Sequence, residues 1–126
     1  MPYTTTWTRD GVIWTYSGIL TGQEALQSNL EIYGDERFDD LHYQIADFTN
    51  VTKNQISELH TKKIAYLDRA AAQTNPRIKV AIVMEDSEFL NTADVYSELS
   101  KNSPWELKVC HSLEEAEVWV TQATRK

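Results

Sequence analysis

Along this chain the spacing of apolar residues switches between two periods, alternation for strands and three-to-four spacing for helices, and the switch points mark out the elements. Thr4-Thr5-Thr6-Trp7-Thr8 and Val12-Ile13-Trp14-Thr15-Tyr16 are β-branched and aromatic. Asp10-Gly11 between them is a two-residue turn signal, so the chain is expected to open with an antiparallel hairpin. Thr21-Gly22-Gln23-Glu24 fits a capping box, and Leu26, Leu30 and Tyr33 follow at helical spacing until Gly34 stops the run. Tyr43 to Phe48 is short and apolar, as a strand should be. Thr52-Lys53-Asn54-Gln55 repeats the capping-box pattern and predicts a long helix whose inner face is Ile56, Leu59, Lys63, Leu67 and Ala70, with the Lys63 stem lying along it. Asn75-Pro76 ends that helix.

Ile78 to Met84 is almost unbroken apolar sequence, the pattern of a strand covered on both faces or lying at the centre of a sheet. The next helix starts at Ser87 or at Asn91, which has Asp94 three residues on; if Asn91 is the cap, Glu85 to Leu90 is a loop. Trp105 to Cys110 alternates, with Trp105, Leu107 and Val109 on one face, as in an edge strand. Ser112-Leu113-Glu114-Glu115 is a third capping box, opening a helix buried along Leu113, Ala116, Val120 and Ala123. The order ββαβαβαβα predicts an α/β fold: a five-stranded, mostly parallel sheet with right-handed crossovers and an antiparallel first strand at one edge. Ligands of such sheets gather beyond the carboxyl ends of the strands. Asp47 to Thr52, Glu85 to Leu90 and Cys110 to Ser112 are therefore expected on one rim.

Length and composition narrow the class. The 126 residues suit one domain spanning 1–126, and 41% hydrophobic with 25% charged residues is ordinary for a globular protein. No apolar run approaches the ~20 residues of a spanning helix, so an integral membrane protein is not expected. Met1 to Thr6 lacks the basic start and apolar stretch of a signal peptide, and the expected location is the cytoplasm. A net charge of −7 argues against nucleic acid and anionic membranes, leaving a protein partner or a small ligand.

Candidate chemistry is sparse. Cys110 is the one cysteine, so no internal disulfide and no paired-cysteine metal site is expected. Adjacent residues of a strand point to opposite faces, which separates Cys110 from His111 as nucleophile and base. His42, His60 and His111 have no metal-ligand spacing, and Gly11, Gly18, Gly22 and Gly34 form no phosphate-binding motif. No cofactor and no catalytic residue is expected. Thr49 and Thr52 are first of all capping residues, and Asp47 an acceptor for the loop that follows it. The aromatics fill an ordinary core; Phe89 in a loop and Trp105 on an edge strand are the two that would instead favour a pocket or a homodimer surface.

The element order, with Asp47-Phe48-Thr49-Asn50-Val51-Thr52 at the exit of the third strand, resembles the STAS domains, the SpoIIAA-like anti-sigma-factor antagonist family. From Arg77-Ile78-Lys79-Val80-Ala81-Ile82-Val83 through Leu113-Glu114-Glu115-Ala116-Glu117-Val118-Trp119-Val120 the chain is similar to the divergent, stand-alone bacterial branch. The resemblance implies a singly wound βα superhelix, shared with the CRAL-TRIO lipid-binding domains. It also implies where a phosphorylation motif, Asp-Ser-Ser-Gly, would stand. The matching positions here read Gln55-Ile56-Ser57-Glu58, so the acceptor position is Ile56 and the motif is not intact. The reading that follows is a non-catalytic module that binds another protein or itself through Asp47, Thr49, Asn50, Thr52, Ser57, Glu85, Asp86, Ser87 and Phe89. The alternative is a carrier of a small apolar molecule or lipid, with a pocket between sheet and helices.

Overall fold

The structure, a computed structural model, describes residues 3–85 and 90–122. Strand β1 (Tyr3–Trp7) pairs antiparallel with β2 (Gly11–Thr21) in the register Tyr3↔Tyr16 to Trp7↔Val12. The turn sits one residue before the Asp10-Gly11 expected from sequence. The Thr8 N–H donates to the Gly11 carbonyl at 2.9 Å, so Arg9 and Asp10 occupy the corner and Gly11 already belongs to β2. Gly11 is needed there because an added Cβ would stand 2.2 Å from the ring of Tyr43.

Helix α1 (Gly22–Tyr33), a 3-10 turn at Glu36–Asp40, strand β3 (Tyr43–Gln55), helix α2 (Glu58–Thr74), strand β4 (Lys79–Val83), helix α3 (Leu90–Ser100), strand β5 (Glu106–Cys110) and helix α4 (Leu113–Thr121) complete the order. The five strands lie side by side as β1-β2-β3-β4-β5, with every pair after the first parallel. Each crossover therefore steps one strand further in the same direction, which is the singly wound arrangement. β1 and β5 form the two edges. α1, α2 and α3 fall on one face of the sheet, where Ile32, Ala65, Ala72, Ala93 and Tyr96 join Val12, Trp14, Tyr16, Val80 and Ile82 in one core. α4 packs on the other face, where Ala116 and Val120 cover Ile45, Ala81, Val83 and Cys110. β4 feeds both cores, which is why Val80 to Val83 are all apolar and buried.

Three capping expectations have different outcomes. Thr21 caps α1 in a complete capping box with Glu24, and Ser112 caps α4 by accepting the Glu115 N–H. Thr52 caps nothing: β3 runs on through Gln55, and the N-cap of α2 is Ser57. α3 begins at Leu90, so Asn91 lies inside it rather than capping it; Ser87 lies outside the described residues. Likewise Ala123 of the expected α4 stripe falls outside them, while Ala116 and Val120 are buried and Leu113 half-buried.

The inner faces of α1 and α2 differ from the expected stripes. α1 buries Gly22, Ala25, Ser28, Asn29 and Ile32, and leaves Leu30 exposed. α2 buries Thr61, Ala65, Asp68 and Ala72, while Leu59 is 61% exposed and Lys63 and Ala70 face solvent. In both helices small and polar residues face inward because their hydrogen bonds are met. The Ser28 hydroxyl pairs with the Tyr16 hydroxyl at 2.7 Å, Asn29 donates to the Ala25 carbonyl at 2.9 Å, and Thr61 donates to the Ser57 carbonyl at 3.1 Å. A buried polar group so satisfied carries little penalty, and its small volume lets the helix approach the large aromatics of β2 closely.

Candidate functional site

β3 is 13 residues long and β4 only 5. Their pairing ends at Asp47↔Val83, whereas β2 and β3 continue together from Ser17↔Asn50 to Thr21↔Gln55. Past Asp47, among the described residues, β3 is thus paired with β2 alone, and the two strands project as a ledge from the carboxyl rim. Register shifts between Thr15 and Ser17 and between Gly18 and Ile19 bend it, with Gly18 at φ 67, a left-handed conformation that side chains resist. Thr49, Asn50, Thr52, Lys53 and Gln55 are exposed along it, and Ile19 on β2 is exposed beside them. At its far end the Asn54 side chain accepts the Ile56 N–H at 2.9 Å and donates to the Thr92 hydroxyl at 3.1 Å, tying the ledge to α3.

Ser57 stands where the ledge meets α2. Its hydroxyl accepts the His60 N–H at 3.1 Å and pairs with His60 Nδ1 at 2.7 Å. The His60 ring lies against Gly22, where an added Cβ would come within 2.2 Å of it, so this close approach joins the start of α2 to the start of α1. Ile56, one residue earlier, is half-buried and turned toward the core.

The structure brings some of the expected rim residues together and separates others. Asp47 lies on the same face of β3 as Ile45 and is buried; its carboxylate accepts the Thr49 N–H at 3.0 Å, but both residues belong to β3, so the loop expected after Asp47 is strand. Thr49, Asn50, Thr52 and Ser57 are all exposed on the ledge and its end. Glu85 is exposed two residues beyond Val83, the register partner of Asp47. Asp86, Ser87 and Phe89 lie outside the described residues. Trp105 is buried rather than displayed at the edge, with its indole N–H donating to the Asn75 carbonyl at 2.7 Å. Cys110 is fully buried, and burial pushes its thiol pKa up. Among the described residues no group of three or more His, Cys, Asp or Glu side chains is placed to hold a metal ion. No described helix is long and apolar enough to cross a membrane.

A second feature lies under the ledge, between the sheet and the three helices. There a partly enclosed cavity of about 90 Å³ is walled by Trp14, Tyr16, Phe48, Ile56, Ile64 and Ile82. Tyr16 and Phe48 stack face to face at 4.9 Å. Asp68, Gln44 and Tyr96 also line it. The hydroxyls of Tyr33 and Tyr96 donate to separate oxygens of Asp68. Burial drives the Asp68 pKa up to about 6 even though both hydrogen bonds pull it down, and burial together with the Asp68 charge pushes both tyrosines well above their ordinary value. Sequence reasoning missed this cluster. Its signal is the run Thr61, Ala65, Asp68, Ala72, a helical face made of small and polar residues.

With this geometry, the chain is similar to a solved structure of the anti-sigma factor antagonist SpoIIAA in its unphosphorylated form, with a TM-score of 0.65 over 98% of this chain and 99% of that one, at 14% identity. The chain has a SpoIIAA-like fold. An uncharacterised DUF3478-family protein from Shewanella loihica PV-4, also SpoIIAA-like, matches with a TM-score of 0.54 over 94% of this chain and 91% of its own, at 16% identity. No family model and no curated protein matches the sequence. In this SpoIIAA-like frame the helix that follows the third strand is α2, and the residue that caps it is Ser57.

Proposed function

We propose that this chain is a non-catalytic regulatory module, without an intact phosphorylation motif, that works by binding another protein or a second copy of itself through the β2–β3 ledge. The observation that carries the reading is the ledge: two paired strands extending beyond the sheet, with exposed polar side chains from Thr49 to Gln55 and a strand flank that a partner can pair with or cover. Ser57 and Glu85 flank it and complete the contact surface. The likeness to an anti-sigma factor antagonist supports a protein as the partner. The net charge of −7 favours a basic contact surface on that partner, which electrostatic steering would bring in quickly.

Site-specific photo-crosslinking in the native host tests this. A crosslinking residue at Asn50 or Thr52 is expected to yield a discrete heavier adduct, whereas one at Thr8, at the opposite end of the sheet, is not. Equal adducts from both ends, or none from the ledge, would contradict the proposal.

A further inference from the structure

Gln44 is 1% exposed and lines the cavity, yet its Nε2 has no hydrogen-bond partner among the described residues. The amide lies near enough to the Tyr33 hydroxyl to lower that group's pKa slightly, but outside hydrogen-bonding geometry. An amide held like this costs stability in an apolar wall, because burial strips its water without returning a partner. Each neighbouring polar group already makes a hydrogen bond elsewhere. Asn29 is bonded to Ala25, Tyr16 to Ser28, and both oxygens of Asp68 to the tyrosines.

From this we infer that the cavity is a binding site for a small neutral molecule with a branched apolar body and one hydroxyl, the hydroxyl pairing with the Gln44 amide. The site is distinct from the ledge and stands independently of what the ledge binds. Three observations fix the class. The walls are aliphatic and aromatic, with the Tyr16–Phe48 stack forming a flat side, so the body is apolar. A volume of about 90 Å³ is smaller than the roughly 150 Å³ cavity that holds benzene, which suits about four to six heavy atoms. The Asp68 carboxyl in the same wall opposes an anionic ligand, while a hydroxyl satisfies the Gln44 amide in either orientation because it both donates and accepts. Ordered water is the competing occupant, but the mostly apolar walls around the Gln44 amide favour an apolar body over a cluster of waters.

NMR titration of the whole chain with isobutanol, 2-methylbutane and isobutyrate decides the matter, reading the side-chain amide resonances of Gln44 and the indole resonance of Trp14. Isobutanol is expected to shift both saturably, with the hydrocarbon and the carboxylate binding about tenfold more weakly or not at all. In Gln44→Leu the preference for isobutanol over 2-methylbutane is expected to vanish. If that variant fails to fold, Ala93→Leu, which fills the cavity from α3, is expected to abolish the isobutanol shifts. No saturable shift at Gln44, a preference that survives Gln44→Leu, or binding that survives Ala93→Leu would each overturn the inference. So would a water resonance held against the Gln44 amide that isobutanol does not displace.

Discussion

At the scale of single residues, close contacts and buried charges give the sharpest expectations. Gly11 and Tyr43 occupy one space: any side chain at 11 must push the Tyr43 ring aside and break its 2.6 Å hydrogen bond to Thr8. Gly11→Ala is expected to cost about 1–3 kcal/mol, and about 1 kcal/mol or more of that loss should disappear in a Tyr43→Ala background, as denaturant unfolding of the double-mutant cycle would reveal. Additive losses would mean that the ring is not the obstacle. Asp68 makes a pH prediction. Below pH 3.8, its ordinary pKa, it is protonated in folded and unfolded chains alike. Between there and about 6 the unfolded chain ionises while the folded one keeps its proton, so stability falls with rising pH and then levels off. The shift corresponds to about 3 kcal/mol, and Asp68→Asn should remove that slope when urea unfolding is compared at pH 4 and pH 7. Neither residue pair was legible in the sequence. Tyr43 and Gly11 meet only through strand pairing, and Asp68 sits on a helical face that an apolar stripe through Leu59, Lys63 and Leu67 hid from view.

Elements were legible where local chemistry and tertiary packing agree. Thr21–Glu24 and Ser112–Glu115 cap helices because the turn that follows each is free to form. Thr52–Gln55 carries the same pattern but is held in a strand, Lys53 to Gln55 pairing with Ile19 to Thr21 of β2, so the helix waits for the next hydroxyl, Ser57. The consequence is measurable. Ser57→Ala is expected to destabilise the protein by about 0.5–2 kcal/mol, and Thr52→Ala, exposed on the ledge, by less than about 0.5 kcal/mol, in thermal or denaturant unfolding. The reverse ranking would return the cap to Thr52 and dissolve the ledge. α1 and α2 expose Leu30, Leu59 and Tyr66 while burying Ser28, Asn29, Thr61 and Asp68. No periodicity of apolar residues alone could find those faces, because hydrogen bonds make them tolerable, from other elements for Ser28 and Asp68 and within their own helix or its cap for Asn29 and Thr61.

For the molecule as a whole, the alternation of strands and helices pointed to the five-stranded, mostly parallel sheet, and the resemblance to SpoIIAA-like domains implied its singly wound strand order. The structure has one antiparallel hairpin followed by three βα steps in one direction, with α1 to α3 on one face of the sheet and α4 on the other. What the order could not give is the difference in length between β3 and β4, which creates the ledge, or the space left beneath it where small residues of α2 and α3 face the aromatics of β2 and β3. On the proposed readings the two features face different kinds of partner, a protein outside and a small molecule within. The central claim concerns the ledge, and native mass spectrometry of the chain isolated from its host under gentle conditions tests it most directly, comparing wild type with a ledge variant carrying Asn50→Arg and Lys53→Glu. Wild type is expected to run heavier by a second polypeptide, whether another protein or a second copy, and the folded variant to run as the bare chain. A wild type that runs bare, or a variant that keeps the added polypeptide, would contradict it.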